Sequence, residues 1–215
     1  MSPLDNQPAR ARPQRAPLRP DLALIAEMVE PGTRVLDIGC SDGALLEYLA
    51  QERGATARGM ELVQRNVNAS VARGLSVIQG DADTDLVKYP SDAFDYAILS
   101  LTLQATREPR AVLEQMVRIG RHAIVSFPNF GHWRVRLHLL LHGRMPVTDV
   151  LPEPWYETPN IHLCTVKDFI ALTRDCGIQI EEAVVLNDRQ RRAGLHTPTL
   201  ANLFGQQAIF RLKKD

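Results

Sequence analysis

The chain has 215 residues, enough for one domain with a full core. Lysine plus arginine balances aspartate plus glutamate at 25 each, which excludes a mainly electrostatic nucleic-acid binder. No apolar run has the length of a membrane span or the form of a signal-peptide core, and the three cysteines, Cys40, Cys164 and Cys176, form no CxxC pair; a reduced, cytoplasmic setting is expected.

Residues 1–20 hold five prolines and four arginines with few large apolar side chains, the composition of a flexible tail. Asp21–Glu30 carries Leu22, Ile25, Met28 and Val29 at helical spacing, and Pro31-Gly32 ends it. Strands are expected at Arg34–Ile38, Thr56–Met60, Leu75–Gln79, Phe94–Ser100 and Ala123–Phe127. Helices are expected at 43–53, 64–73 and 109–118, the last with Pro109 near its start and Gly120 just past its end. This alternation implies a parallel sheet with helices on both faces. Residues 128–163 interrupt it. Arg134–His142 is leucine-rich and basic, and Met145–His162 follows with four prolines, Trp155 and Tyr156. A connection this long reads as a lid or a binding surface. Ordinary helix packing is the expectation for Leu137, Leu140 and Leu141. The pattern then resumes with a helix at Thr165–Cys176 and strands at Ile178–Leu186 and Gln207–Leu212. The expected folded domain is 21–215.

The chemistry concentrates after the first strand. Asp37 and Ile38 lead into the tight loop Gly39-Cys40-Ser41-Asp42-Gly43, and an apolar helical pattern follows. Such a turn lets backbone approach a ligand closely and aims the free N–H groups of a helix start at it. Glu61 stands 22 residues after Gly39, at the end of the second strand, where a carboxylate accepts both hydroxyls of a ribose. A nucleoside-bearing cofactor is implied. The dinucleotide pattern G-x-G-x-x-G matches poorly, because Ser41 replaces its second glycine and Ala44 its third; a P-loop lysine is absent. Ser41 narrows the loop, and a positive φ there adds strain of up to ~1 kcal/mol.

Asp81, after the third strand, suits the amino group of an adenine with Ala82 beside it, or else caps a helix. Leu62 follows Glu61 on the same strand end. Ser100 to Gln104 follow the fourth strand, on the edge where open α/β sheets take ligands, and Gln104 there could face a transferred group or its acceptor. Bases for a transfer reaction would be His132 and His162, each more often a structural histidine. No metal constellation stands out: His138 and His142 are four apart but lack HExxH context and a third ligand. No Asn-Pro-Pro-(Tyr/Phe) motif follows the fourth strand, which disfavours methylation of a planar base nitrogen.

The spacing of Asp37, Gly39, Gly43 and Glu61 resembles the first motif of class I S-adenosylmethionine (SAM) methyltransferases. That resemblance implies SAM or S-adenosylhomocysteine as cofactor, with Cys40, Ser41, Leu62, Asp81, Ala82 and Ser100 completing the site. It also implies a Rossmann-like α/β fold, a mostly parallel seven-stranded sheet with a closing antiparallel strand. Longer stretches are more specific. Leu18–Leu22, Val125–Arg134 (Val-Ser-Phe-Pro-Asn-Phe-Gly-His-Trp-Arg), Gly143–Thr148 and Trp155–Thr165 resemble the MetW family of methionine biosynthesis over roughly residues 18–186. The departure is Ser41, where that family usually has glycine. The resemblance implies partnership with a homoserine O-acyltransferase (MetX), and an accessory role ahead of an active methyltransferase on an unidentified small molecule. A homodimer is left open; neither nucleic acid nor membrane is expected as a partner.

Overall fold

The computed structural model describes residues 18–148, 151–187, 189, 192–193 and 197–214. The tail read in residues 1–20 lies outside the described residues up to position 17. The helix foreseen next is α1 (Pro20–Met28), opened by a proline whose missing N–H costs nothing at a helix start. The alternating core follows: β1 (Arg34–Ile38), α2 (Ala44–Glu52), β2 (Thr56–Glu61), α3 (Gln64–Ala72), β3 (Val77–Gln79), a short α4 (Ala82–Asp85), β4 (Phe94–Ser100), α5 (Pro109–Ile119) and β5 (Gly120–Pro128). After α6 (Trp133–His142) come α7 (Val166–Asp175), β6 (Ile178–Leu186), β7 (Arg192–Ala193), α8 (Pro198–Phe204) and β8 (Gln207–Lys214).

The sheet has eight strands in the order β3-β2-β1-β4-β5-β8-β6-β7. Strands β1 to β5 pair in parallel, while β8 runs antiparallel between β5 and β6. The expected closing antiparallel pair is therefore present. The seven-strand expectation is one short: the chain leaves β6 and returns as the two-residue β7, pairing Val185 with Ala193 and Leu186 with Arg192. Two residues are too few to show a period, so nothing in the sequence marks that strand.

Both faces of the sheet are covered, which is why its central strands read as continuous apolar runs. In β1, Val35 turns toward α1 and α2, among Ile25, Leu45 and Leu49. Leu36 and Ile38 turn to the opposite face, where Met116 of α5 and Phe169 of α7 meet Phe127 and Phe210. The phenyl rings of Phe127, Phe169 and Phe210 lie 4.7 to 5.9 Å apart, an aromatic cluster that joins the antiparallel end to the parallel core. Two antiparallel neighbours thus extend the sheet without opening its core.

Asn129 fastens the end of β5. It is buried, its amide donates to the carbonyls of Asn202 (2.9 Å) and Gly205 (2.7 Å), and its oxygen accepts from Gly131 (3.0 Å) and Val166 (3.2 Å). One side chain thereby ties β5, α7 and α8 together at the point where the insertion departs. Among the described residues, no helix is long and apolar enough to cross a membrane.

Candidate functional site

Strand β1 pairs with β2 on one side and β4 on the other, so the strand order reverses there. The crevice at the carboxyl ends of such strands is where open α/β sheets take ligands. The loop Gly39–Gly43 fills the start of that crevice. Gly39, Ser41 and Gly43 all have left-handed backbone, with φ of 70°, 50° and 77°. At Gly39 a Cβ would lie 2.7 Å from Thr102 Oγ1, so both conformation and space demand glycine. At Gly43 it would lie 2.5 Å from Leu75 Cδ1. Ser41 meets the condition for strain set out from the sequence, and the loop carries that cost at one position.

Glu61 holds the loop in place. Its Oε2 accepts the Ser41 N–H at 2.8 Å, and its Oε1 accepts the Val63 N–H at 2.8 Å and the Asn66 amide at 3.4 Å. A carboxylate has about four acceptor positions, so Oε2 keeps capacity for a further donor. Asp37 is buried nearby. Burial first, and then the charge of Glu61, push its carboxyl up to about 8, with Arg19 partly opposing the rise. Arg19 itself pairs with Asp21 at 2.9 Å, within the start of α1. The Cys40 side chain turns into a small cluster with Leu46, Val67 and Val77, where burial raises its thiol pKa. Only its backbone remains for a ligand.

A cavity of about 170 Å³ opens beside the loop, lined among others by Gly39, Leu62, Asp81, Ala82, Thr102 and Arg107. Leu62 is an exposed apolar side chain at this edge. Asp81 lines the cavity and also caps α4: its Oδ1 accepts from the Asp83 N–H at 2.9 Å, and its Oδ2 pairs with Arg107 at 2.9 Å. The capping reading is therefore present in the structure, alongside its place at the cavity. Ser100 stands apart from the lining, its hydroxyl 3.3 Å from that of Ser126.

Gln104 sits on a 3-10 turn, Leu103–Ala105, just after β4. Its amide donates to the Leu101 carbonyl at 2.8 Å, and Leu101 itself has a left-handed φ of 51°. The side-chain oxygen is buried and has no partner among the described residues. Its backbone carbonyl accepts from two successive amides of the insertion, Ile161 at 2.9 Å and His162 at 3.0 Å. The His162 ring lies 3.4 Å from the Arg107 carbonyl. His132 is elsewhere in the insertion: it is buried, and its Nδ1 accepts the Arg134 N–H at 3.4 Å to cap α6. The structure joins His162 to Gln104 through backbone and leaves His132 as a helix cap.

Sequence reasoning missed Arg107 at the cavity; Thr102 falls within the Ser100–Gln104 edge it singled out, and Arg19 within the Leu18–Leu22 stretch, though without its place beside Asp37. No periodic or motif signal marks Arg107, which becomes visible only when the fold brings distant segments together. The packing expectation for Leu137, Leu140 and Leu141 is overturned, because all three are exposed and Val135 is the buried residue of α6. Among the described residues, no second apolar element covers that helix face.

A family model described as "Methionine biosynthesis protein MetW" matches residues 19–212. A "Bifunctional methionine biosynthesis protein MetXA/MetW" of Rhodopirellula baltica is 35% identical over 189 residues, covering 84% of this chain and 30% of that protein. The chain thus spans about a third of the length of that relative. Among solved structures, an S-adenosylmethionine dependent methyltransferase from Mesorhizobium loti is 21% identical with a TM-score of 0.64, over 89% of this chain and 96% of the other. A SAM-dependent methyltransferase from Thermotoga maritima is 18% identical with a TM-score of 0.63, over 91% and 88%. These likenesses establish the Rossmann-like methyltransferase fold, and the family model, matched over nearly the whole described chain, decides the rest: the chain belongs to the MetW family of methionine biosynthesis proteins.

Proposed function

We propose that the chain binds SAM or S-adenosylhomocysteine and acts as an accessory subunit that supports or regulates a homoserine O-acyltransferase (MetX). The observation that carries the partnership is the relative that holds MetXA and MetW on a single chain. The residues present fit the cofactor. The Gly39–Gly43 backbone gives a close approach that a Cβ at Gly39 would close. Glu61 has acceptor capacity for ribose hydroxyls, and Leu62, Asp81 and Ala82 suit an adenine in the adjoining cavity. The Glu61 carboxylate makes this end of the sheet favourable to a sulfonium or ammonium cation, while the buried Asp37 carboxyl, pushed up to about 8, mainly keeps its proton at neutral pH. Ser100 lies at the same strand edge. Residues 128–163 serve as lid or partner surface, with Trp155 and Tyr156, both largely exposed, as anchors.

SAM lies downstream of methionine, so a SAM-binding subunit on an early enzyme reports pathway output. The sign of the effect follows from which form, free or partner-bound, holds SAM more tightly. The test measures activity of purified acyltransferase with and without this chain across SAM concentrations, using methyl-labelled SAM. Activation without label transfer supports the accessory role. A second reading, an active methyltransferase on an unidentified small molecule, is favoured by the unpartnered Gln104 oxygen beside His162. Label appearing on homoserine or on the acyltransferase would favour it.

A further inference from the structure

The insertion encloses a second hollow that shares no lining residue with the cavity beside the Gly39–Gly43 loop. It measures about 260 Å³, and apolar side chains wall it, among them Phe130, Leu151, Trp155, Ile161 and Leu163. Backbone holds those walls in place. The Phe130 N–H donates to the Cys164 carbonyl at 3.0 Å, and the Ile161 N–H donates to the Gln104 carbonyl at 2.9 Å. Thr148 and Leu151 exchange two N–H···O bonds, of 2.9 and 3.1 Å. Trp155 rides on a turn whose Pro154 carbonyl accepts from Glu157 at 3.0 Å and Thr158 at 3.1 Å. A hollow fastened at four places keeps its shape, and a preformed apolar concavity with few polar groups is the usual form of a small-molecule site. Its volume lies just under the roughly 300–1,000 Å³ of pockets for drug-sized ligands. One charge stands in this apolar setting. Glu153 is the ionisable residue of the lining, and among the described residues it has neither a hydrogen bond nor an ion pair.

We infer that this hollow binds a small primary amine with an apolar or aromatic body, its ammonium group on the Glu153 carboxylate. Three observations fix the class. An uncharged apolar ligand would strip water from an unpaired carboxylate, a cost that only a cation repays. An anion is repelled by the same carboxylate. Trp155, in the same lining, offers the cation an indole face. The remaining polar members of the lining, Thr158 and Asn160, are neutral and compensate no charge. The site goes beyond the cofactor and partner readings and depends on neither. Trp155 also belongs to the surface proposed for the acyltransferase, so the test uses the free chain.

The probes are 2-phenylethylamine, 2-phenylethanol and 3-phenylpropionate, which share a body and differ in charge. Calorimetry at neutral pH is expected to give the amine about ten-fold higher affinity than the alcohol, with no binding of the acid. Amide NMR signals of Trp155, Ile161 and Leu163 move with the amine, while those of Gly39 and Gly43 stay. Glu153→Gln alters an exposed residue, so the thermal midpoint holds its wild-type value while the amine falls to the affinity of the alcohol. Trp155→Ala weakens both ligands. Absence of amine binding overturns the inference, as does equal affinity for amine and alcohol in wild type. A preference for the amine that survives Glu153→Gln overturns it too. Signals that move at Gly39–Gly43 in place of the insertion assign the amine to the cofactor cavity and remove this site.

Discussion

The loop end of the sheet and the 128–163 insertion solve opposite problems. At Gly39–Gly43 the geometry is forced by backbone: three left-handed residues, a glycine with no room for a Cβ, and the Glu61 carboxylate, which binds the Ser41 amide of the loop and the Val63 amide after its own strand. In the insertion the backbone is anchored at a few points, and the conspicuous groups are apolar side chains in contact with water. The contrast teaches where information resides. A small ligand is recognised through main-chain shape, so the sequence shows it as glycines and an acid. A protein partner is recognised through side-chain surface, which shows as apolar residues where a solitary domain would place polar ones.

The largest break in this contrast comes at the junction of the two regions. Asn129→Ala removes four hydrogen bonds and leaves buried amides and carbonyls unpaired, so unfolding stability falls by about 3–5 kcal/mol. Denaturant titration measures it; a loss under about 1 kcal/mol would show that the two regions are not fastened there. Next in size is Gly39→Ala, which combines a left-handed φ with a contact of 2.7 Å to Thr102 Oγ1. SAM affinity is expected to drop by about 2 kcal/mol or more while the insertion keeps its structure. Calorimetry with unchanged affinity removes the loop from the binding site.

Glu61→Gln sharpens the same side. It keeps an acceptor for the Ser41 amide and loses the charge, so SAM affinity falls by ~1.5–3 kcal/mol with little change in fold. Asp37 provides a pH test. Its carboxyl titrates near 8 in the folded chain against an ordinary 3.8, so the folded state holds a proton that the unfolded state gives up. Stability therefore falls as pH rises through that window and levels above 8. Melting curves from pH 4 to 9 should show this slope in wild type and a weaker one in Asp37→Asn. The smallest effect belongs to the insertion: Trp155→Ala/Tyr156→Ala changes stability within about 0.5 kcal/mol, because both rings are exposed, yet reduces capture of the acyltransferase. Wild-type capture with a large stability loss makes the two rings core packing instead.

Sequence legibility follows the same divide. Strands such as Arg34–Ile38 and Phe94–Ser100 were readable to the residue, because a strand buried on both faces is an apolar run bounded by turns. Glu61 was readable because its spacing from the loop is fixed by one strand-helix-strand unit. Helix α8 was passed over although Thr197 and Pro198 form a cap and first-turn signal, the Thr197 hydroxyl accepting from the Leu200 N–H. Its seven residues are too few for a clear periodicity. The exposure of Leu137, Leu140 and Leu141 was not readable at all. Periodicity shows that a helix has an apolar face, but what covers that face depends on tertiary placement. Arg107 stayed hidden for a related reason, since it reaches the cavity only through tertiary placement and its ion pair to Asp81.

The Gln104 carbonyl has a consequence for kinetics. One oxygen accepts from two consecutive amides, Ile161 and His162, so neither can release it without disturbing the other's geometry. Release of the 161–162 segment from the turn after β4 is therefore expected as a cooperative step, in which both protons become exchangeable together. Measured by hydrogen–deuterium exchange, these adjacent amides form a matched pair of clocks. Their common rate reports how often the turn after β4 lets go of the insertion, and a ligand that steadies that turn slows both clocks by one shared factor.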